Sequence, residues 1–385
     1  MTPGARVAAA IEILDHVAQG IPAEQALTRW ARASRFAGSK DRAAVRDHVF
    51  DVLRHWRSAA ALGGGETGRA RMIGRLRDAG ADLGALFDGK GHAPAPLTAA
   101  EEQAGGPPTS RAVRLDLPDW LVERFDAALG ADAERTALAL KDRAPVTLRV
   151  NTTRGTVKDA VQALENAGLE VVANAAAGTA LTVQSGARQL RGSEAYVTGL
   201  VELQDASSQA AIARISGQGR ILDYCAGGGG KALALAAAGW QVSAHDAEPA
   251  RMTDLPVRAT RGGHNIQLCS AAELAKLSDF DAVLCDAPCS GSGTWRRTPE
   301  AKWRLTPERL QELIMTQAQI LDTAQQYVIK GGTLYYATCS VLTEENDAQI
   351  ASFVAQHTEW SLDTAWHWPV DAWGDGFYLA RLLRV

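Results

Sequence analysis

The sequence has few cysteines and no long apolar segment. Five cysteines among 385 residues, an odd number, do not suit a disulfide framework, so we expect reduced thiols and a cytoplasmic protein. The best candidate for a membrane span, residues 232–240, is far shorter than the roughly 20 residues that a span requires. Glu12 and Asp15 interrupt the apolar pattern that a signal peptide would show. We therefore expect no membrane partner.

Cysteine pairs with C-x-x-C spacing, the usual ligands of structural zinc, are also absent. Cys285 and Cys289 lie four residues apart across a predicted strand end, which does not suit a zinc site. We expect no bound metal. The length and the ordinary apolar fraction of 46% predict a folded protein of about two or three domains.

The net charge of -4 argues against a polyanionic partner, but the charge is unevenly distributed. Between residues 29 and 77, twelve basic residues face four acidic ones, which makes this block +8 and the remainder -12. Such a block is typical of a polyanion site, although a solvated helix face fits the same count. The twelve are Arg29, Arg32, Arg35, Lys40, Arg42, Arg46, Arg54, Arg57, Arg69, Arg71, Arg75 and Arg77.

Apolar residues at helical spacing mark the N-terminal part of the chain. Val7, Ile11 and Leu14 are typical of one helix face, and similar spacing continues further on, so we predict an all-α domain over residues 1–88. Residues 89–112 are rich in glycine, alanine and proline and lack periodicity. We interpret them as a mobile linker or a surface loop.

Residues 113–200 predict a small α+β middle domain. Residues 146–150 alternate like a strand, 156–167 have helical spacing, and 169–172 form a second apolar run. This order predicts a β–α–β unit.

From residue 201 to residue 385, strands alternate with helices. The predicted elements are strands at Ile221–Leu222, Val242–His245, Ala282–Cys285 and Thr333–Ala337, and a helix over Pro307–Ile329. This alternation predicts the α/β class, with a parallel, doubly wound, Rossmann-like sheet. Ligands bind such sheets at the carboxyl ends of the strands.

A glycine-rich loop follows the first of these strands and leads into a helix. It consists of Cys225, Ala226, Gly227, Gly228, Gly229, Gly230 and Lys231. Glycines let a backbone approach a ligand, and Asp246, after the second strand, is well placed to accept hydrogen bonds from a ribose diol. The loop and the acid together predict a nucleotide-like cofactor.

Two other nucleotide loops fit less well. A phosphate-binding loop needs glycine five positions before Gly230 and Ser or Thr after Lys231, where this chain has Cys225 and Ala232. A dinucleotide loop needs a third glycine, which is absent here. S-adenosylmethionine, an adenosyl cofactor without a pyrophosphate, fits better.

Two cysteines follow strand ends, where ligands bind. Cys289 lies in Asp286–Gly291, and Cys339 lies in Thr338–Ser340. A thiolate that adds to carbon 6 of a pyrimidine makes carbon 5 nucleophilic enough to take a methyl group. Asp286 is a candidate acid near ring nitrogen 3. Residue chemistry alone leaves open which cysteine is the nucleophile, but Cys289 stands where amino methyltransferases have an aromatic residue.

At these positions the sequence resembles the RNA cytosine-5 methyltransferase family. The matching segments are Leu148–Asn151, Gln204–Gln209, the glycine loop, Asp286–Gly291, Arg296–Arg297, Trp303, Ala337–Ser340, Glu344–Asn346 and Asp375–Phe377. The segment Arg35–Arg42 is similar to the NusB-like RNA-binding domain of the bacterial small-subunit rRNA branch. The resemblance implies a class I methyltransferase domain with a NusB-like N-terminal domain.

The resemblance also implies roles for individual residues. Cys339 is implied to be the nucleophile and Cys289 to promote product release. Cofactor contacts are implied for the loop from Cys225 to Lys231, for Asp246 and for Asp286. The implied partner is small-subunit rRNA, bound by a monomer.

Two positions depart from the family pattern. Gly228 stands where proline is usual, and Cys269-Ser270 lies where a third cofactor acid is expected. These departures keep open a catalytically silent RNA-binding assembly factor, and methylation of tRNA is a further alternative.

Basic residues predict where RNA binds. Lysine, arginine and tryptophan crowd the segment after Cys289, which suits phosphate contacts and base stacking, although each tryptophan alone fits a core role as well. The predicted RNA-binding residues are Arg35, Lys40, Arg42, Arg296, Arg297 and Lys302.

Overall fold

The structure of the chain is a computed structural model that describes residues 1–277 and 279–385. Its helices are α1 (Pro3–Ala18), α2 (Ala23–Ala33), α3 (Ser39–Arg54), α4 (Trp56–Gly63), α5 (Gly68–Asp78), α6 (Leu83–Leu86), α7 (Ala99–Gln103), α8 (Arg111–Arg114), α9 (Asp119–Leu129), α10 (Ala133–Ala139), α11 (Val157–Asn166), α12 (Glu194–Val197), α13 (Ala206–Ile212), α14 (Gly230–Ala237), α15 (Leu255–Gly262), α16 (Ala271–Leu274), α17 (Pro299–Arg304), α18 (Pro307–Ala324) and α19 (Asp347–Gln356). Its strands are β1 (Val146–Val150), β2 (Glu170–Ala173), β3 (Ala180–Ser185), β4 (Val201–Leu203), β5 (Arg220–Asp223), β6 (Gln241–Ala244), β7 (Ile266–Leu268), β8 (Phe280–Asp286), β9 (Val328–Thr338), β10 (Trp360–Trp368) and β11 (Phe377–Arg384).

The chain divides into two compact units. The helical unit consists of Met1–Arg143 with Trp295–Arg304, and the sheet unit consists of Ala144–Thr294 with Leu305–Val385. The helical unit packs the apolar faces of α1, α2, α3 and α5 into one core. Its predicted helical periodicity is therefore present, because residues three and four apart share a helix face.

The division into units differs in two places from the predicted domain boundaries. Residues 99–103, inside the segment interpreted as a linker, form α7, and α8 (Arg111–Arg114) begins at the end of that segment. Gly105 packs so closely that a Cβ there would overlap the carbonyl of Leu62. Residues 113–143, assigned from sequence to the middle domain, pack with the helical unit. The four-segment division stays a prediction.

The segment Trp295–Arg304 fills part of the helical unit. Trp295 is fully buried and stacks on Phe125, with 5.9 Å between the ring centroids. The indole N–H of Trp303 donates to the carbonyl of Leu53 at 2.8 Å. Both tryptophans therefore pack against this unit.

The sheet unit contains a small antiparallel sheet with the strand order β2-β3-β1-β4. The predicted β–α–β order is present as β1–α11–β2, but β3 lies between the two strands and pairs with both. The buried residues of α11 pack on this sheet, with Leu164 fully buried.

The larger sheet has seven strands in the order β10-β11-β9-β8-β5-β6-β7. The five strands from β7 to β9 are parallel, and β11 and β10 continue the sheet in antiparallel pairing. Between β8 and β6 the strand order reverses at β5, and open sheets bind ligands at such a switch point. The glycine loop follows β5.

The sequence prediction did not include the antiparallel strands β10 and β11, and it misplaced the boundary between α18 and β9. The long helix ends at Ala324 rather than Ile329, and Val328 and Ile329 begin β9. Val and Ile favour extended backbone, so a short apolar run after the helix is a strand.

Among the described residues, no helix has both the length and the apolarity to cross a membrane.

Candidate active site

The glycine loop turns sharply between β5 and α14. Gly227 and Gly229 have positive φ values of 52° and 80°, which favour glycine, and a Cβ at Gly229 would overlap the side chain of Leu255. Gly228 has no positive φ, and a Cβ there would lie 3.4 Å from Arg258 Nη1, an ordinary contact. The family's usual proline therefore falls at the loop position with space for a side chain.

Asp246 holds the loop from the end of β6. It is 3% exposed, its Oδ2 accepts from the backbone N–H of Gly227 at 2.8 Å, and its Oδ1 accepts from the N–H of Glu248 at 2.9 Å. Arg251 Nη1 lies 3.3 Å from Oδ2. The predicted cofactor acid thus lies directly beneath the loop, where it also shapes the backbone.

Three ionisable side chains lie next to the loop: Asp223 and Asp286 at the ends of two strands, and Lys231 in the first turn of α14. Lys231 Nζ donates to Asp286 Oδ2 at 2.6 Å. Burial alone would lower the pKa of Lys231, but Asp286 and then Asp223 raise it overall, so the side chain stays a cation. This pair joins the first turn of α14 to the end of β8.

Asp223, the last residue of β5, is fully buried, and neither carboxylate oxygen has a partner with hydrogen-bond geometry among the described residues, although the backbone N–H of Ala232 comes close enough to lower its pKa. Burial, and then the charge of Asp286, raise the pKa of Asp223 to about 7, while Lys231 lowers it. A buried carboxylate without partners is costly, so it marks a place where a ligand donor would fit. Sequence reasoning missed Asp223, although an acid two residues before a glycine loop was a signal for it.

Cys289 and Cys339 meet at the ends of β8 and β9, with 3.5 Å between their Sγ atoms. The pKa of Cys339 is lowered, mainly because the Cys289 thiol donates a hydrogen bond to it, and Lys231 and Thr294 add to this. The same hydrogen bond, together with burial, raises the pKa of Cys289 well above its ordinary value. The structure therefore makes Cys339 the more readily ionised thiol.

The other three cysteines have the opposite environment. All five cysteines are free thiols. Burial raises the pKa of Cys225, Cys269 and Cys285, so these thiols stay protonated and unreactive.

Residues from two segments that match the family also hold the glycine loop, and one of these segments lies on the small sheet. Arg149 on β1 donates from Nε to Gln204 Oε1 at 2.7 Å, and Gln204 Nε2 donates to the carbonyl of Gly230 at 3.2 Å. The two matching segments Leu148–Asn151 and Gln204–Gln209 thus act partly through their contacts with the loop.

The closing motif Asp375–Phe377 packs behind the cysteines. Gly376 N–H donates to the carbonyl of Gly293 at 2.9 Å, and Gly293 N–H donates to the carbonyl of Cys339 at 2.9 Å. Lys231 Nζ lies 5.0 Å from the ring centroid of Phe377. These contacts bring the loop after β8 against Cys339.

The predicted RNA-binding residues all lie in the helical unit but differ in exposure. Arg35, Lys40 and Arg42 are exposed, as is Arg297, whereas Arg296 is 3% exposed and Lys302 is 1% exposed. Burial lowers the pKa of Lys302 to about 8. Arg296 and Lys302 are thus buried within the unit, and their binding of RNA stays a prediction.

Glu345 and its hydrogen-bond partners form a buried polar cluster for which the sequence predicted no role. Glu345 is fully buried beside the residues that follow the two cysteines, and Gln317 on α18 donates to it. Its signal was the segment Glu344–Asn346, which matched the family pattern without an assigned role.

Within residues 1–277 and 279–385, no group of three or more His, Cys, Asp or Glu side chains is arranged to hold a metal ion.

Comparison with known proteins identifies the family of this chain. The family model of the 16S rRNA methyltransferases RsmB/F matches residues 211–383, and that of the ferredoxin-like domain of RsmF/B-like methyltransferases matches residues 117–188. Ribosomal RNA small subunit methyltransferase B of Xylella fastidiosa is 36% identical over 294 residues, 69% of this chain and 68% of that protein.

The protein of the same name from Erwinia tasmaniensis is 33% identical over 293 residues, which cover 69% of this chain. The matched region spans 66% of that relative's length, just under two thirds.

Solved structures share the fold. The crystal structure of PH0851 has a TM-score of 0.78 and 23% identity and covers 99% of each chain. A methyltransferase homolog protein from Pyrococcus horikoshii has a TM-score of 0.62 and 24% identity and covers 71% of this chain and 97% of its own. The matched sequence segments, the arrangement of the glycine loop and the two cysteines, and these similar proteins all indicate the same family. The chain belongs to the RsmB/F family of S-adenosylmethionine-dependent ribosomal RNA methyltransferases.

Proposed function

We propose that the protein transfers a methyl group from S-adenosylmethionine to carbon 5 of a cytosine in small-subunit rRNA. The observation that carries this proposal is the 3.5 Å approach of the Cys289 and Cys339 thiols at the strand ends next to the glycine loop. One thiolate suffices to activate carbon 5, and a second thiol beside it suits the release step. Other methyl acceptors do not need this pair.

The residues present fit S-adenosylmethionine. The glycine loop leaves its backbone open to a ligand, Asp246 suits a ribose diol, and the unpartnered oxygens of Asp223 suit an ammonium group. When bound, the cofactor supplies an electrophilic methyl group on its sulfonium. These residues would hold it.

The side chains of the site have distinct tasks in this reaction. Cys339, as thiolate, adds to carbon 6, and the electron pair displaced from the 5,6 double bond is neutralised at ring nitrogen 3 by a proton from the Lys231–Asp286 pair. Carbon 5 then takes the methyl group. A base then removes the proton from carbon 5, and its electron pair re-forms the 5,6 double bond. The bond between carbon 6 and the sulfur breaks, with its electrons on Cys339. The proton on ring nitrogen 3 returns to the Lys231–Asp286 pair.

The environments of the two thiols support the assignment of these tasks. Cys339 has the lowered pKa and is the more readily formed thiolate, whereas Cys289 has the raised pKa and is available as a thiol beside it. We therefore assign attack to Cys339 and product release to Cys289, whose thiol donates a hydrogen bond to the Cys339 sulfur as the sulfur–carbon bond breaks, while a separate base takes the proton from carbon 5.

Two observations support an RNA substrate. The matching relatives are named as methyltransferases of small-subunit rRNA, and the helical unit carries exposed basic residues that form no ion pair with any residue that the structure describes. Of the twelve basic residues between 29 and 77, eight bind acidic side chains or carbonyls. The other four are exposed and make no hydrogen bond or ion pair to any described residue: Arg29, Arg32, Arg35 and Lys40. We propose that this unit is the NusB-like RNA-binding domain.

Single cysteine substitutions test the chemistry. Cys339→Ala is expected to abolish methyl transfer to RNA, because no thiolate then activates carbon 5. Cys289→Ala is expected to leave a protein–RNA adduct that resists denaturation, because attack proceeds and release does not. Methyl transfer is followed with labelled S-adenosylmethionine, and adducts are followed by denaturing electrophoresis. Wild-type activity in the Cys339→Ala variant contradicts the nucleophile assignment.

Bisulfite sequencing of a deletion strain tests the substrate. Loss of one methylated cytosine in small-subunit rRNA, restored by the wild-type gene and not by Cys339→Ala, is the expected result. Loss confined to tRNA would overturn the rRNA assignment. No change in either RNA, from a protein that still binds rRNA, would favour the silent assembly factor.

A further inference from the structure

The carboxylate of Glu345 accepts hydrogen bonds from both cysteine loops. Its Oε1 accepts from the Ser290 N–H at 2.7 Å and from Gln317 Nε2 at 3.0 Å. Its Oε2 accepts from the Ser340 hydroxyl at 2.5 Å and from the Ser290 hydroxyl. Glu345 is fully buried, so all of these donors come from the protein.

These contacts fix the backbone on both sides of Cys289. Ser290, the next residue, is held by Glu345 through its amide and its hydroxyl. The preceding residue is also held, because Gln317 Nε2 donates to the carbonyl of Pro288 at 3.0 Å. Cys289 is therefore anchored at both neighbours by groups that meet at one carboxylate.

The residues on both sides of Cys339 are also held, by Glu345 and by the adjacent Asn346. Ser340, the next residue, donates to Glu345, and its carbonyl accepts from Asn346 Nδ2 at 2.9 Å. The preceding residue, Thr338, donates from its hydroxyl to Asn346 Oδ1 at 2.6 Å. The neighbouring residues Glu345 and Asn346 thus hold the loop of Cys339, and Glu345 also holds that of Cys289.

Burying a carboxylate in a protein core has a large cost in free energy. Taking a carboxylate out of water costs several kcal/mol, and a well-packed apolar side chain would often be at least as stable. About four acceptor sites are available on a carboxylate, and here four donors from three segments use them. Such a side chain specifies the relative position of the segments that it joins.

We propose that Glu345 is a positioning residue that sets the separation of the Cys289 and Cys339 thiols. The 3.5 Å separation is what allows one thiol to donate a hydrogen bond to the other. Under the proposed function, on which this role rests for its catalytic meaning, the same separation places Cys289 for the release step. The glycine loop is held independently by Asp246 and Gln204, so cofactor binding does not depend on Glu345.

Disulfide trapping measures the separation without RNA or cofactor. Diamide takes two electrons and two protons from the two thiols, and mass spectrometry identifies the Cys289–Cys339 disulfide. Wild-type protein is expected to form it readily, and Glu345→Ala about tenfold more slowly, because the released loops place the sulfurs within reach less often. Glu345→Gln is expected to stay near the wild-type rate, because its amide oxygen still serves the two N–H donors and its NH₂ faces hydroxyls that can accept.

Turnover provides the second measurement. Glu345→Ala is expected to lower kcat by about tenfold and to accumulate protein–RNA adduct, with KM for S-adenosylmethionine within about twofold of wild type. Glu345→Gln is expected to restore both values. If the wild-type protein does not methylate RNA, the proposed function fails, and the disulfide rates still decide the role of Glu345.

Asp116→Ala is the matched control. Asp116 is a fully buried carboxylate of the helical unit that accepts from Ser58 and Lys141, so its removal leaves a similar number of buried donors unsatisfied. It is expected to lower the melting temperature and to leave the disulfide rate unchanged. A wild-type disulfide rate in folded Glu345→Ala, or an equal slowing in Asp116→Ala, would overturn the proposal.

A milder substitution covers the case in which Glu345→Ala does not fold. Ser340→Ala removes one donor to the carboxylate and keeps the charge and the other donors. It is expected to slow disulfide formation by about threefold, and an unchanged rate would count against the positioning role.

Discussion

At the scale of single residues, the site shows how one side-chain type serves two tasks. Cys289 and Cys339 differ by environment alone: one donates the hydrogen bond and keeps its proton, and the other accepts it and loses its proton more easily. Lys231 lowers the pKa of Cys339 further, while burial and Asp286 oppose it. Ionisation of this pair is therefore a property of the pair.

The pH dependence of Cys339 alkylation follows from these shifts. A thiol with a lowered pKa becomes a thiolate at lower pH, so the iodoacetamide reaction is expected to rise with pH around a midpoint below the ordinary 9.0. Cys289→Ala removes the donor, which raises the pKa of Cys339 and moves the midpoint to higher pH. Peptide mapping by mass spectrometry measures the rate at each pH.

Cys269→Ala is the control for this measurement. Cys269 is buried, with a raised pKa, and is not a cause of the shift at Cys339, so the midpoint is expected to stay in place. An unchanged midpoint in Cys289→Ala would contradict the hydrogen-bond explanation.

At the scale of elements, the unit of function is the strand β5, the glycine loop and the helix α14. Positive φ at Gly227 and Gly229 turns the chain, and contacts from Asp246 and Gln204 hold the turn in place. The departure at Gly228 is compatible with this geometry, because that residue needs neither a positive φ nor the absence of a Cβ.

Two alanine substitutions in this loop are expected to differ in effect. Gly229→Ala forces a Cβ into Leu255 at a positive φ and is expected to weaken S-adenosylmethionine binding by about tenfold or more and to lower stability by about 1–3 kcal/mol. Gly228→Ala is expected to change affinity by less than about threefold, since its Cβ meets an ordinary contact. Calorimetry and thermal unfolding measure both, and equal losses would contradict the assignment of strain to Gly229.

At the scale of the whole molecule, the net charge of -4 does not describe the surface that RNA would meet. Most basic residues of the N-terminal block bind acids or carbonyls of the helical unit. Four exposed basic residues have no partner within the described part of the chain and lie where α2 meets α3: Arg29, Arg32, Arg35 and Lys40. Phe36, 75% exposed, lies in the same corner, where an aromatic ring suits stacking on an unpaired base.

The salt dependence of RNA binding tests this corner. Replacing the four basic residues together by alanine is expected to weaken RNA binding and to reduce the slope of log affinity against log salt by about 3, because each lost phosphate contact removes about 0.7–0.9. Phe36→Ala is expected to weaken binding by about tenfold and to leave the slope unchanged, because stacking releases no counterions. Filter binding at several salt concentrations measures both.

The matched control replaces four exposed arginines that already pair with acids: Arg46, Arg135, Arg143 and Arg309. Their paired charges are expected to contribute little to the salt slope. An equal change of slope in this variant would contradict a localised RNA surface.

Local signals explain why much of the fold was predictable. The strands β5, β6 and β8 were placed to within about two residues, because an apolar run followed by glycine or an acid is a local pattern. The antiparallel strands β10 and β11 were not predicted, and the end of α18 was placed too late. In these segments propensity depends on the neighbouring strand or helix.

The sequence by itself determined the types of residue at the site and the strand ends that carry them. The tertiary structure decided which of them meet: Lys231 with Asp286, and Ser290 with Glu345, each pair 55 residues apart in the chain. It also decided that Arg296 and Lys302 are buried, while Arg35 and Lys40 are exposed and have no partner among the described residues. The reason is that periodicity reports which face of an element is apolar, whereas burial, charge pairing and pKa depend on contacts between distant parts of the chain.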